Sequence, residues 1–70
     1  MPRGGIRSRA FQCAARLGKN EINELKTMPI GVLKSTYNLI EHLYKRGYMH
    51  WKESMVVLEF IINEKERQQG

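Results

Sequence analysis

Residues 55–62 constrain the fold of this chain more than any other segment, because seven of these eight side chains are apolar and only Glu59 is charged. On a helix of about 100° per residue, they leave only a narrow strip for polar side chains. A helix that is apolar on nearly every side must be covered on several sides. One core in so short a chain supplies only about 3–5 kcal/mol of stability. We therefore expect a C-terminal helix that docks on a protein partner or on a second copy of the chain.

The best-marked helix extends from Pro29 to Arg46 and precedes this segment. Lys45 and Arg46 stand in its last turn, where positive charge complements the helix dipole, and Gly47 follows as a stop. Its apolar residues form two adjacent lines that cover roughly 160° of the helix, an arc wide enough for two neighbours. The first line is Ile30, Leu33, Tyr37, Ile40 and Tyr44, and the second is Val32, Thr36, Leu39 and Leu43.

Two shorter helices are expected before it. Ser8 is a typical N-cap for a helix over residues 9–17, and Gly18 follows as its stop. Asn20 is a candidate N-cap for the second helix, and Thr27 marks the start of the next element. The apolar side chains predicted to pack are Phe11, Ala14, Ala15 and Leu17 in the first helix, and Ile22, Leu25 and Met28 in the second.

These elements predict an all-α fold, a small helical domain of three to four helices. Its frame is a helical hairpin of the amphipathic helix at about 29–46 and the apolar helix at about 52–67. Residues 20–70 form this domain, and residues 1–19 form a basic arm that is flexible or a short helix. Val and Ile also favour strands, which leaves one alternative open. If residues 55–62 form a strand, the fold is α+β and resembles a winged helix in outline.

The positive charge of the chain is concentrated at its N-terminus. The formal net charge is +5, and residues 1–19 hold five cations and no acid, whereas residues 20–70 hold seven bases and seven glutamates. Arginine binds phosphate oxygens through paired, parallel hydrogen bonds. An Arg-rich segment without acids is also typical of a mitochondrial transit peptide or a solvated tail. The expected nucleic-acid contacts are Arg3, Arg7, Arg9, Arg16, Lys19, Lys45 and Arg46.

Aromatic residues and cations alternate in the connector between the two long helices. Tyr48 and Trp51 stand beside Lys45, Arg46 and Lys52, a composition used both by single-strand binders and by protein hot spots. The expected protein interface adds the apolar run to these two aromatics. It comprises Tyr48, Trp51, Met55, Leu58, Phe60, Ile61 and Ile62.

No pattern in the sequence indicates catalysis, a metal or a cofactor. The chain contains no Asp, and the spacings of Cys13, His42 and His50 match no zinc motif. Gly4 and Gly5 lack the strand and the Lys-Ser or Lys-Thr sequence of a phosphate-binding loop. The single cysteine excludes an intrachain disulfide and indicates a reducing compartment.

We therefore expect a soluble, non-enzymatic binding protein, a regulator or a ribonucleoprotein subunit, that binds no small-molecule substrate. Its Arg-rich arm binds nucleic-acid phosphates, and its apolar helical surface mediates dimerisation or protein docking. One alternative is a phage-like or mobile-element-like adaptor or inhibitor that binds only protein. A third is a small subunit of an organelle complex with a transit-like N-terminus. The expected location is cytoplasmic, with the mitochondrial matrix as the alternative, and no segment is apolar enough to span a membrane.

Overall fold

A computed structural model describes residues 9–69, and this part of the chain consists of four α-helices, one 3-10 turn and short connections without a strand. The predicted all-α fold is confirmed. The strand alternative for residues 55–62, and with it the winged-helix-like fold, is wrong, because these residues lie within a continuous helix. The elements are α1 (Arg9–Arg16), α2 (Lys19–Lys26), α3 (Ile30–Lys45), the 3-10 turn (Met49–Trp51) and α4 (Lys52–Gln69).

The long helices α3 and α4 form the predicted antiparallel hairpin. Lys34 near the start of α3 pairs with Glu66 near the end of α4, with Nζ and Oε2 2.8 Å apart. Leu33 and Leu58 are fully buried in the same core cluster. No helix within residues 9–69 has both the length and the apolar character that crossing a bilayer requires.

The end of α3 confirms the predicted stop at Gly47. The glycine has a φ of 115°, in the left-handed region that a residue with a Cβ rarely adopts. Its N–H donates to the carbonyl of Tyr44 at 3.0 Å, and the N–H of Tyr48 donates to the carbonyl of Leu43 at 3.3 Å. These are the two hydrogen bonds of a Schellman motif, and they fix the backbone of Tyr48.

The start of α3 differs from the prediction. The helix begins at Ile30, and Pro29 is the extended N-cap whose carbonyl accepts the N–H groups of Val32 and Leu33. Thr27 does not begin this helix but ends α2, where its hydroxyl donates to the carbonyl of Glu24 at 2.7 Å. A threonine hydroxyl that is used at a helix C-terminus is no longer free to cap the next helix.

The helix expected near the N-terminus is present as α1, and it packs into the core through small residues. Ala10, Cys13 and Ala14 are buried, whereas Ala15, which was predicted to pack, is exposed. Ala14 lies in the last turn, where carbonyls have no partner within the helix. The hydroxyl of Ser54 on α4 donates to this carbonyl at 2.7 Å.

The turn between α1 and α2 also corrects the prediction. The left-handed residue that ends α1 is Leu17, with a φ of 55°, and its N–H donates to the carbonyl of Cys13 at 2.9 Å. Gly18 is instead the extended N-cap of α2, in place of Asn20. A Cβ at Gly18 would meet the carboxylate of Glu21. A left-handed Leu costs roughly 1–2 kcal/mol, which the packing of the two helices must offset.

The chain covers most of α4 by itself. Leu58 is fully buried, Ile61 is 2% exposed and Ile62 is 9% exposed, whereas Val56 and Phe60 stay more than half exposed. The expectation that α4 needs an outside partner assumed that only one helix of the chain would pack against it. In the structure α1 and α3 both contact it, and the buried cluster draws side chains from all four helices.

Two adjacent substitutions test this burial. Ile61→Glu places a carboxylate in the core and should lower the free energy of unfolding by about 3 kcal/mol or more, enough to unfold a small domain. Phe60→Glu places the same group on an exposed side of the helix and should be tolerated. Urea denaturation followed by circular dichroism at low protein concentration makes the comparison. Equal losses in the two variants would contradict the burial pattern.

Candidate nucleic-acid interface

Three exposed cations surround the connection between the long helices, which we call the α3–α4 corner (residues 45–52). Arg46 and Lys52 form no ion pair with any residue in the described range 9–69. Lys45 has its Nζ 3.7 Å from an oxygen of Glu41, and its side chain is 72% exposed. The corner itself contains no acid. Its positive charge is therefore neutralised only in part and is available to an anionic ligand.

Four aromatic rings form a row from the core to this corner, which we call the aromatic row (Phe11, Trp51, His50 and Tyr48). The centroids of Phe11 and Trp51 are 5.3 Å apart, and those of Trp51 and His50 are 5.1 Å apart. The ring of Tyr48 meets His50 edge-on at 6.3 Å. Phe11 and Trp51 are half-buried, whereas His50 and Tyr48 are exposed. The row is thus anchored at one end and open to solvent at the other.

Backbone hydrogen bonds hold the open end of the aromatic row in place. The N–H of Trp51 donates to the carbonyl of Tyr48 at 3.2 Å, and the N–H of Met49 donates to the carbonyl of Gly47 at 2.9 Å. Together with the Schellman motif, these hydrogen bonds hold the main chain on both sides of Tyr48. The anchor at the other end, Phe11, comes from α1, so the N-terminal helix positions the corner.

The predicted phosphate contacts divide into separate groups. Lys45 and Arg46 lie at the α3–α4 corner, whereas Arg16 and Lys19 are exposed at the turn between α1 and α2 and form no ion pair within residues 9–69. Arg9 faces a carboxylate, as described next. The two further predicted contacts, Arg3 and Arg7, lie outside the described residues, as does Ser8.

Arg9 is committed to a salt bridge with Glu24 of α2. Its Nε is 2.7 Å from one carboxylate oxygen and a terminal nitrogen is 2.8 Å from the other. This is the two-point geometry that the guanidinium group would also present to a phosphate. The hydrogen bonds from Arg9 lower the pKa of Glu24. The carboxylate therefore competes with any phosphate for Arg9.

Cys13 lies beside the same carboxylate and is buried. Burial, followed by the charge of Glu24, raises the pKa of the Cys13 thiol. A thiol must lose its proton to become a nucleophile. Cys13 is a free cysteine that is 1% exposed, and its observed role is to pack in the core.

The predicted protein-interface residues are not brought together on one surface. Tyr48 and Phe60 are exposed, and Trp51 and Met55 are half-buried. Three others, namely Leu58, Ile61 and Ile62, lie in the core of the chain itself. Sequence reasoning did not select Val56, which is 54% exposed one helical turn before Phe60. Their spacing of four residues on a helix was the signal for this pair.

The clefts of the described surface are shallow and hold no cluster suited to a metal. Two clefts of about 280 and 250 Å³ between α3 and α4 share Tyr37 and Glu59. Burial and the nearby charges of Glu59 and Glu41 raise the pKa of Tyr37. Within residues 9–69, no three His, Cys or Glu side chains are grouped in a way that could hold a metal ion.

Comparison with known proteins found no family model, no curated protein and no solved structure that matches the chain.

The Arg9–Glu24 pair generates a pH prediction. Because the pKa of Glu24 is lowered from 4.5 in the folded protein, its stabilising contribution is complete above that value and is lost as the pH falls through the lowered pKa. Arg9→Gln should reduce the free energy of unfolding at neutral pH, and the difference from wild type should shrink in acid.

Urea unfolding of wild type and variant at neutral and acidic pH measures this difference. Arg67→Gln is the matched control, because the contact of Arg67 with Glu64 in the same helix is longer, at 3.4 Å, and the Arg67 side chain is 74% exposed. A difference for Arg9→Gln that is the same at both pH values would contradict the role of the ion pair.

Proposed function

We propose that this chain is a non-enzymatic binding protein that contacts nucleic-acid phosphates through its exposed cations and binds protein through an apolar helical surface. The observation that carries the nucleic-acid part is the α3–α4 corner. There Arg46 and Lys52 are exposed, lie in no ion pair with another described residue, and flank an aromatic row without an intervening acid.

Cations that lie in no ion pair within residues 9–69 support this proposal. A cation already paired with a carboxylate must give up that contact to bind phosphate, whereas an unpaired cation gains it and releases condensed counterions from the nucleic acid. Among the cations that form no ion pair with any other described residue are Arg16, Lys19, Arg46 and Lys52. These residues therefore support the proposal more strongly than Arg9 does.

The single cysteine supports the proposed location. Cys13 is a free thiol, which suits the reducing cytoplasm. We propose the cytoplasm as the place of action.

Salt dependence tests the phosphate contacts. Each phosphate neutralised on duplex DNA adds about 0.9 to the slope of log affinity against log salt. Arg46→Gln should reduce that slope by about that amount and weaken binding at low salt. Arg67→Gln removes the same charge from a residue that pairs with Glu64 at the far end of α4, and it should change the slope less.

Titration of a labelled duplex by fluorescence anisotropy at several salt concentrations measures both slopes. Identical slopes for the two variants would show that only net charge matters and not the α3–α4 corner. Wild-type binding that is absent or independent of salt would contradict the nucleic-acid proposal as a whole.

A second function, protein docking, is favoured by the outer surface of α4. Val56 and Phe60 are 54% and 59% exposed and lie one turn apart. Exposed apolar side chains that adjoin one another are a mark of interaction surfaces when they exceed scattered single residues. Self-association through this surface is the form of docking that the chain can show by itself.

Sedimentation equilibrium over a range of protein concentrations tests self-association. The average mass of wild type should rise with concentration, whereas Phe60→Glu should stay monomeric because its carboxylate would be desolvated in the interface. Val32→Glu is the control, since Val32 is also exposed, at 40%, but lies on α3. A wild type that is monomeric throughout would leave docking on a different protein as the only form of this function.

A further inference from the structure

Tyr48 combines a hydrogen-bonded main chain with an exposed side chain. The Schellman motif fixes its main chain, yet its surface is 53% exposed. Its ring is roughly perpendicular to that of His50, at an interplanar angle of 76°, and His50 lies against Trp51, which Phe11 anchors.

We infer that the α3–α4 corner binds single-stranded nucleic acid by stacking an unpaired base on the ring of Tyr48. This inference rests on the proposed phosphate contacts and adds the type of nucleic acid that the corner selects. An aromatic ring stacks on the flat surface of any base, whatever its sequence, once the base is unpaired. In a duplex these surfaces are covered by neighbouring base pairs, so the ring finds no equivalent contact.

The cations around Tyr48 supply the second half of a single-strand site. Lys45 and Arg46 precede the ring and Lys52 follows it, so positive charge lies on both sides of it in the chain. The nearest acids in sequence are Glu41, which Lys45 meets at 3.7 Å, and Glu53, which follows Lys52. When a base of the strand stacks on the ring, the neighbouring phosphates come near these cations. Proteins that bind single strands combine cations and aromatic rings in this way.

The charge of the corner favours nucleic acid over protein as the occupant. The centre of a protein–protein interface is depleted of charged residues, and lysine in particular is depleted across interfaces. Here two lysines and an arginine lie within four residues of Tyr48. Tyrosine itself is common in protein interfaces, so it is the lysines around Tyr48 that favour nucleic acid. The apolar pair Val56 and Phe60 on α4 is the surface proposed for a protein partner.

The test compares two labelled ligands with the full-length chain. One is an oligothymidylate of about 16 nucleotides, the upper end of common single-strand site sizes, and the other is a duplex of the same length. Tyr48→Ala should weaken binding of the oligothymidylate about tenfold and binding of the duplex by less than about twofold, because only the unpaired base stacks. Fluorescence anisotropy at one fixed, low salt concentration gives both affinities.

Two further variants separate stacking from a general effect on the fold. Tyr48→Phe keeps the ring and should bind the oligothymidylate within about twofold of wild type. Met49→Ala removes the neighbouring side chain, which is 64% exposed and has no ring, and should leave both affinities unchanged. Circular dichroism of each variant confirms that the helices are retained.

Each result decides the inference. A selective loss in Tyr48→Ala that Tyr48→Phe reverses supports it. An equal loss for both ligands, or no loss for either, overturns it while leaving the phosphate contacts in place. A wild type that binds neither ligand overturns both this inference and the proposed nucleic-acid function, and the corner is then a surface for another kind of partner.

Discussion

Docking of α1 against the first turns of α4 is the interaction on which both the core and the candidate interface depend. Ala10 and Ala14 have side chains small enough for the two helices to approach closely, and both are buried. The approach places the last turn of α1 beside Ser54, whose hydroxyl satisfies the carbonyl of Ala14 at 2.7 Å. Without that hydroxyl the carbonyl would be buried without a partner, at a cost of about 1–3 kcal/mol. The same contact brings Phe11 to Trp51, so one packing event completes the core and anchors the aromatic row.

This arrangement gives the basic N-terminal segment two roles at once. The described part of residues 1–19 contributes three side chains to the core, and the same helix carries Arg9 and Arg16 on its surface. The division into an arm and a domain at residue 19 stays a prediction. What the structure adds is that the charges within α1 are held by the core at fixed positions. A cation fixed in this way loses less conformational entropy on binding than one on a freely moving chain.

The predictable parts of the structure are those whose signals are local. Lys45, Arg46 and Gly47 mark the end of α3 in consecutive positions, and the structure ends the helix there. Periodicity also identified the first apolar line of α3, because Leu33 and Ile40 are fully buried, whereas the second line is wrong at Val32 and Leu39, which are each 40% exposed. These features follow from chain geometry within a few residues, and so they can be derived from the sequence alone.

Other features required contacts between distant parts of the chain. Ser54 and Ala14 are separated by 40 residues and Arg9 and Glu24 by 15, and no local pattern links either pair. The predicted stripe on α1 failed at Ala15 for the same reason, because which side of a short helix is buried depends on its neighbours. The candidate interface shows both cases. Composition identified Tyr48 and Trp51 beside cations, but their connection to the core through Phe11 is visible only in the fold.

We propose the α3–α4 corner, rather than the sides of the bundle, as the place for an anionic ligand because of the distribution of ion pairs. Three glutamates on the helix sides are matched, with Glu24 on Arg9, Glu66 on Lys34 and Glu64 on Arg67. Three others lie in no ion pair with described residues and leave negative charge on those sides, namely Glu21, Glu53 and Glu59. Lys26 and Lys65, which lie in no ion pair with described residues, share a cleft with one of these glutamates, Glu64.

Compensation at the corner is partial, because Glu41 meets only Lys45, at 3.7 Å, and Arg46 and Lys52 lie in no ion pair with described residues. A polyanion is attracted to positive surface over about a Debye length, roughly 8 Å at physiological salt. In the proposed function, the polyanion then meets the ring of Tyr48, which is exposed at that corner. On this proposal, long-range attraction brings nucleic acid of any form, and the short-range contact with the ring distinguishes a strand with unpaired bases from a duplex.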